Sequence, residues 1–351
     1  MDGIKALYSQ AIKLLHEAGF KSFYVNKNQQ NNRFCYDFIV KKKNLSFILK
    51  FFKNIDNIKE ETVEGIKILS KLFNASPLLI GLKNRYQEIE DNTIYIREEL
   101  PIITIGTLKN ILKQDLYPFI LVRRGGGIVF LNGELMKKLR EARRISRKEL
   151  SEQIGVTKRT ICSYESENMR PSKEIADKIQ DILDHSEIFR NINVLDWKFE
   201  CNVRKTALNE KELSPFENHI QGILDDIGIS SYWYKKGYFP FEMCISSKKE
   251  NLKENHPNIY PLLSEVSEMK KQLKEKTIND LQCLKQLLTL FHKHALFIVD
   301  KELKKSQFFE NTNIPVIDLR DLEKISNEKQ FRSYFYQTES DNESEKSKLL
   351  N

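Results

Sequence analysis

The chain has 351 residues, of which 40% are hydrophobic, enough for two or three domains with substantial cores. Its formal net charge is +8, a balance that favours polyanionic partners such as nucleic acid. The five cysteines are never spaced Cys-x-x-Cys, which argues against a zinc ribbon or a disulfide framework and predicts reduced thiols in a cytoplasmic protein. Because the sequence has no signal-peptide block and no long apolar run, we expect neither export nor a membrane span.

Residues 1–117 have the pattern of an α/β domain. Helical periodicity over residues 4–18 ends at Gly19, and the segments starting at Phe23, Phe34 and Leu45 resemble strands. The remaining predicted elements are a helix ending near Phe73, strands from Pro77, Thr93 and Pro101, and a closing helix over residues 107–112.

Within this domain, Asp37 on one predicted strand and Lys50 on the next resemble the restriction-endonuclease-like fold, whose nucleases carry Asp and then Asp/Glu-x-Lys around magnesium. Here the second motif reads Ile48-Leu49-Lys50, so the middle acid is missing. Since two carboxylates normally hold the metal, the resemblance implies an inactive nuclease fold with no metal and no cofactor, and we expect no enzyme. Glu88 or Glu98 could replace the acid, but no residue pattern selects either. As the simplest interpretation, Asp37 is an ordinary carboxylate at a strand edge.

Residues 118–132 form a predicted hairpin linker, with two short strand-like runs around Gly125-Gly126-Gly127. A phosphate-binding loop would place Gly-Lys-Ser/Thr at the start of a helix, whereas the strand-like Ile128 follows here. The glycines therefore predict a turn and not an ATP-binding loop.

Residues 133–190 predict an all-α bundle of four helices. In the first helix, Leu135, Leu139 and Ala142 form one apolar stripe. The outward face of this helix is predicted to be basic, with Lys137, Lys138, Arg140 and Arg143. A fourth helix opens at Pro171-Ser172 and closes the small core with Ile175, Ile179, Ile182 and Leu183.

The second and third helices have clear start and stop signals. Ser146 and Glu149 form a capping box for a helix that buries Leu150 and Ile154 and ends at Gly155. Thr157 then caps the third helix, whose inward residues are Ile161 and Tyr164.

These residues resemble the Cro/C1 (Xre-like) helix-turn-helix family, in the order Ser, Glu-Leu-Ser, Gly-Val-Thr and Ile161-x-x-Tyr164-Glu165. The resemblance implies double-stranded DNA as the partner. The residues that it places on DNA are Arg147, Lys158, Arg159, Thr160 and Ser163. We expect Arg143 and Arg144 to hold phosphates as well. The alternative is a four-helix unit that contacts another protein, as in an antitoxin-like or adaptor protein.

Residues 191–336 resemble the first domain and predict a second, divergent α/β copy. Residues 14–25 align with residues 223–234, with Gly19 matching Gly228, and Asp37-Phe38-Ile39 matches Glu242-Met243-Cys244. A long charged helical segment is predicted from about Leu262 to Phe291. His292 and His294 fall at a helix-to-strand turn and are expected to be solvated, and residues 337–351 are expected to be disordered.

Taken over most of its length, the chain resembles an archaeal family of helix-turn-helix transcriptional regulators. This resemblance implies DNA binding and regulation, with no known effector. Because one recognition helix offers few base contacts, we expect a sequence-specific regulator that acts as a homodimer. The alternative hypothesis is a metal-dependent nuclease that its helix-turn-helix directs to DNA. Asp37 and Lys50 motivate this hypothesis.

Overall fold

The computed structural model describes residues 2–24, 34–123, 126–201, 208, 212–234, 237–248, 259–268, 275–300 and 314–336. Contacts divide the chain into two compact units. The first unit comprises Met1–Ser22, Phe38–Val63 and Ala75–Glu200, and the second comprises Phe23–Asp37, Glu64–Asn74 and Cys201–Asn351.

An eight-stranded mixed sheet forms the first α/β fold. Its elements in chain order are α1 (Asp2–Glu17), β1 (Lys21–Tyr24), β2 (Phe38–Lys42), β3 (Leu45–Asn54), α2 (Glu60–Phe73), β4 (Ser76–Lys83), β5 (Thr93–Arg97), β6 (Leu100–Ile103), α3 (Ile105–Gln114), β7 (Ile120–Arg123) and β8 (Gly126–Val129). The strand order is β1-β2-β3-β4-β6-β5-β7-β8. The central strands β3 and β4 each contain a run of buried residues, 46–49 and 77–81, as expected for near-continuous apolar segments.

Two details of this sheet differ from the prediction. β2 begins at Phe38, so the expected strand from Phe34 starts four residues later. The predicted hairpin of residues 118–132 exists as β7 and β8, but Gly126 and Gly127 lie inside β8, and β7 pairs in parallel with β5. Hydrogen bonding to β5 therefore makes the hairpin the edge of the sheet, which periodicity within one segment could not show.

Four helices follow the hairpin: α4 (Gly133–Ala142), α5 (Arg147–Ile154), α6 (Lys158–Glu165) and α7 (Lys173–Leu183). Their shared core includes Met136, Leu150, Ile161, Tyr164 and Ile179. It also includes Ile120, Val129 and Leu131 of the hairpin region, so the helices pack directly on the edge of the first sheet.

A second, five-stranded sheet with helices lies in the second unit. Its elements are α8 (Pro215–Asp226), β9 (Ile229–Trp233), β10 (Met243–Ser247), β11 (Leu262–Ser267), α9 (Glu275–Phe291), β12 (His294–Val299), β13 (Val316–Asp318) and α10 (Leu319–Glu323), with further helical residues at 328–336. The strand order is β13-β12-β11-β10-β9, so this sheet repeats the order β6-β4-β3-β2-β1 of the first.

The strand registers support a divergent copy in detail. Phe38 pairs with Leu49 in the first sheet, and Met243 pairs with Ser264 at the corresponding place in the second. Gly19 and Gly228 both have positive φ angles, of 79° and 87°, after their helices. By this register Glu242 corresponds to Asp37, and Glu265 corresponds to Lys50. The second copy therefore carries an acid where the first carries the lysine.

The prediction of one long helical segment from Leu262 to Phe291 was wrong, because Leu262–Ser267 is the buried strand β11. Five of its six residues are buried, including Ser264 and Glu265, so no alternation of apolar and polar residues marked it as a strand. The expected disorder of residues 337–351 lies outside the described residues. Among the described helices, none is long and apolar enough to cross a membrane.

Candidate nucleic-acid interface

The start of α5 is built by the predicted capping box. The amide of Glu149 donates to the Ser146 hydroxyl at 3.1 Å, and the Ser146 amide donates to the Glu149 carboxylate at 2.6 Å. The hydrogen bond that the Ser146 amide donates to the carboxylate is the main cause of the lowered pKa of Glu149, and a hydrogen bond with the Ser146 side chain adds to it. Gly155 ends the helix with a φ of 77°, which is the left-handed conformation predicted for this glycine.

Helix α6 presents the cations expected to read DNA. Thr157 caps it by accepting a hydrogen bond from the Thr160 amide, while Ile161 and Tyr164 are buried on its inner side. Lys158 and Arg159 lie in its first turn and are exposed. Neither side chain has an acidic partner among the described residues. The first turn of this helix therefore carries two available cations beside unsatisfied backbone amides, an arrangement suited to anionic ligands.

The first helix of the bundle, α4, differs from the prediction. Its buried residues are Gly133, Met136 and Arg140, whereas Leu135 and Leu139 are only partly buried and Ala142 is exposed. The assignment of Arg140 to the outer basic face was therefore wrong. The buried face of α4 is rotated relative to the predicted apolar stripe because a buried carboxylate on α6 neutralises the charge of Arg140. A pattern of hydrophobic residues cannot reveal such a pairing.

That carboxylate belongs to Glu165, whose side chain is 3% exposed. Its Oε1 accepts a hydrogen bond from Arg140 Nε at 2.6 Å, and its Oε2 accepts one from Arg147 Nε at 2.7 Å. The hydrogen bond to Glu165 is the main cause of the raised pKa of Arg147. One acid thus links α4, α5 and α6 through two short hydrogen bonds.

A second junction holds the end of α6 against the start of α4. A Cβ placed on Gly133 would lie 2.2 Å from the carbonyl oxygen of Glu165, so only glycine fits there. The Gly133 amide donates to Glu167, which also pairs with Arg190 at 2.5 Å. This close approach fixes the position of α6 at its C-terminal end.

The other predicted contact residues have different surroundings. Ser163 is half-buried, and its hydroxyl donates to the Arg159 carbonyl. Arg143 donates to the Ile182 carbonyl at 3.3 Å and lies 3.8 Å from Asp184, at the end of α7. Arg144 is exposed and has a positive φ of 57°. DNA contacts by these three residues therefore remain a prediction.

The helical bundle is attached to the first sheet by several contacts. The Val129 amide donates to the Pro171 carbonyl at 3.0 Å, and Ile128 forms an isolated bridge with Ser172. Lys173 on α7 pairs with Glu90 at 2.7 Å. Because these bonds join the two parts within one compact unit, the bundle is docked on the sheet and not tethered by a free linker.

The sequence matches two family models. Residues 4–118 match a PD-(D/E)XK superfamily domain, and residues 136–188 match a helix-turn-helix domain. The fold predicted from Asp37 and Lys50 is thereby confirmed. No solved structure matches the chain.

Curated proteins of similar length match the chain over most of its residues. A protein of Methanococcus maripaludis strain C5 is 28% identical over 92% of this chain and 94% of its own length. Proteins of Pyrococcus abyssi and Methanocaldococcus jannaschii are also 28% identical, over 89% and 91% of this chain and 91% and 92% of their own. All three carry the name "Putative HTH-type transcriptional regulatory protein". Over most of its length the chain is therefore similar to these archaeal proteins.

In this chain the set of nuclease-like positions is incomplete. Asp37 directly precedes β2 and is 4% exposed, and Lys50 lies within β3. Ile48 takes the place of the second acid. Glu88 is exposed, and Glu98 lies in the turn between β5 and β6 with a φ of 47°. Among the described residues, no three His, Cys, Asp or Glu side chains are grouped so that they could hold a metal ion.

Three residues of the interface were missed in the sequence. Glu165 stands in the quoted motif, but its partner Arg140 was assigned to the surface because it is charged. The third is Arg170, which lies in the loop after α6. Its guanidinium is 4.1 Å from the centre of the Phe130 ring. Burial of Arg140 could have been predicted from its place on α4, four residues after Met136 and therefore on the same face of the helix.

Proposed function

We propose that the protein is a sequence-specific DNA-binding transcriptional regulator. In this proposal Lys158, Arg159 and Thr160 read base edges in the major groove, while Arg147 binds the backbone. Arginine and lysine donate to guanine O6 and N7, and a helix of this kind enters the groove by its N-terminal residues. The family relatives named as transcriptional regulators support the regulatory part of the proposal.

The observation that carries the proposal is the combination of availability and rigidity at α6. Lys158 and Arg159 are exposed and without acidic partners among the described residues, while the other end of their helix is held by Glu165. A preorganised helix loses little conformational freedom on binding, so its contacts can discriminate between base pairs. Each base contact that is lost should cost about 1 to 3 kcal/mol of discrimination.

The test is selection of bound fragments from a random DNA pool at near-physiological salt. We compare the wild type with Lys158→Ala/Arg159→Ala, and we use Lys137→Ala/Lys138→Ala on the exposed face of α4 as a control with equal loss of charge. A sequence motif that survives in the control but disappears in the first variant is expected. Salt-sensitive binding without an enriched motif in the wild type would contradict sequence-specific reading.

The proposal includes a homodimer, because one recognition helix offers few base contacts and a dimer reads two half-sites about one helical turn apart. The α/β domains would supply the interface. Analytical ultracentrifugation of the full chain, alone and with the selected duplex, measures this directly. A single protomer on a single half-site would refute the dimer without affecting the reading helix.

The chain is proposed to have no nuclease activity, although the PD-(D/E)XK match favours a nuclease as the second candidate. Since Ile48 cannot bind a metal ion, one expected carboxylate ligand is missing. We expect no cleavage of duplex DNA with Mg²⁺ or Mn²⁺. Cleavage that depends on the metal and is abolished by Asp37→Ala would establish the nuclease.

A further inference from the structure

A cavity of about 720 Å³ lies in the first unit, away from α6 in the sequence and unused by the proposed reading of DNA. Its polar lining includes Asp56, Arg85, Tyr86, Arg97, Glu98 and Arg123. The volume falls within the range of roughly 300 to 1,000 Å³ that is usual for small-molecule sites. Three guanidinium groups on one cavity call for an explanation.

The arginines are not equivalent. Arg97 is committed to the protein, because its Nε and Nη2 donate to Asp56 Oδ1 at 3.0 and 2.6 Å and its Nη1 donates to the Ile96 carbonyl. Arg85 and Arg123 are exposed, and within the described part of the chain neither forms an ion pair, although the charge of Arg85 helps to lower the pKa of Asp56. Two guanidiniums therefore remain available to an anion at this cavity.

The loop that carries Arg85 also displays an aromatic ring. Tyr86 is 87% exposed, more than any other exposed large hydrophobic residue among those described. Its backbone is nevertheless fixed, because the Asn84 side chain accepts from the amides of Tyr86 and Gln87, both at 2.8 Å. The Arg85 amide donates to Asp56 at 2.8 Å. The Tyr86 ring is therefore exposed to solvent, while hydrogen bonds hold the backbone of its loop in place.

A glycine that lines the same cavity leaves open space beside the backbone. Gly126, at the start of β8, has a φ of 125°, and a Cβ placed there would meet no atom within 4 Å. Glu98 on the same cavity supplies a carboxylate that can accept from a base amino group or a ribose hydroxyl. The cavity therefore offers cations, a stacking surface and an acceptor within one concave site.

We infer that this cavity binds a nucleoside phosphate, with Arg85 and Arg123 on the phosphates and the base stacked on Tyr86. Arginine forms strong hydrogen bonds with phosphates, and any of the bases can stack on an exposed aromatic ring. The nucleotide is either a free ligand or one residue of a DNA strand. This inference goes beyond the proposed reading of DNA by α6 and does not depend on it.

The experiment is calorimetric titration of the full chain with ATP, with inorganic pyrophosphate and with a single-stranded deoxythymidine decamer. The variants are Arg85→Ala, Tyr86→Ala and Arg123→Ala. Lys109→Ala, which removes an exposed cation from α3 outside the cavity, is the matched control. Because all four side chains are exposed, the substitutions leave the folded core intact.

Each arginine variant is expected to weaken ATP binding about tenfold or more, since each removes a charge-assisted hydrogen bond. Tyr86→Ala is expected to weaken ATP about fivefold to a hundredfold and to leave pyrophosphate unchanged. If only the decamer binds and Tyr86→Ala abolishes that binding, the nucleotide belongs to a DNA strand. Absence of binding by both ATP and the decamer, or equal losses in Lys109→Ala, would overturn the inference while the motif selected by α6 stands.

Discussion

Arg147 Nε donates to Glu165 Oε2 at 2.7 Å, so the arginine that begins α5 is fastened to the end of the helix proposed to read DNA. Arg140 binds the other oxygen of the same carboxylate. A residue expected to hold phosphate therefore also helps to hold the reading helix in place. This double role changes what substitution of each partner should do.

Removal of the carboxylate should have the largest effect on stability. Glu165→Gln leaves the buried Arg140 guanidinium without its buried counter-charge, and loss of one partner of a buried pair costs about 3 to 5 kcal/mol. Hydrogen exchange of the amides in α4 to α6 measures this locally. Glu141→Gln removes an exposed partner of the same arginine and should cost less than about 1 kcal/mol. Equal effects of the two variants would show that burial does not govern the pair.

Arg147→Ala should weaken binding to the selected duplex and to random DNA by similar factors. The slope of log affinity against log salt should fall by about 1, because one phosphate contact is lost. Filter binding or fluorescence anisotropy at several salt concentrations gives both quantities. Loss of sequence preference with an unchanged slope would instead mean that Arg147 acts only through the position of α6.

Gly133→Ala should destabilise the helical bundle, because the new methyl group meets the Glu165 carbonyl carbon and oxygen and the backbone must move. Overpacking of this kind costs about 1 to 3 kcal/mol. Gly222→Ala is the matched control, since Gly222 lies inside α8 with open space around its Cβ position. The control should stabilise its helix by up to about 1 kcal/mol. Local hydrogen exchange in each region distinguishes the two, and a stabilised Gly133→Ala would contradict the close approach.

Asp56 should make the first unit sensitive to acid. Its hydrogen bond from Arg97 lowers its pKa below the ordinary 3.8, helped by the Arg85 amide and opposed by burial. Because the folded-state pKa is the lower one, the stabilisation is complete above pH 3.8 and is lost as pH falls through the folded value. The stability difference between wild type and Asp56→Asn, measured by urea unfolding, should therefore shrink on acidification below pH 3.8. A difference that grows in acid would contradict this sign.

The sequence alone determined those features that depend on neighbours along the chain. Ser146, Glu149, Gly155 and Thr157 mark helix ends by local hydrogen bonds and backbone preference, and the structure has each of them in the predicted role. The repeat around Gly19 and Gly228 was likewise visible, because both copies need the same left-handed residue after a helix.

Only the tertiary structure decided which charges are buried and which segments share a sheet. Arg140 is interior because Glu165 arrives from another helix, and residues 118–132 join the first sheet because β7 meets β5. The cavity around Arg85, Tyr86 and Arg123 draws its walls from distant parts of the chain. Such relationships depend on contacts between residues far apart in the chain, whereas periodicity and capping report only on residues a few positions away.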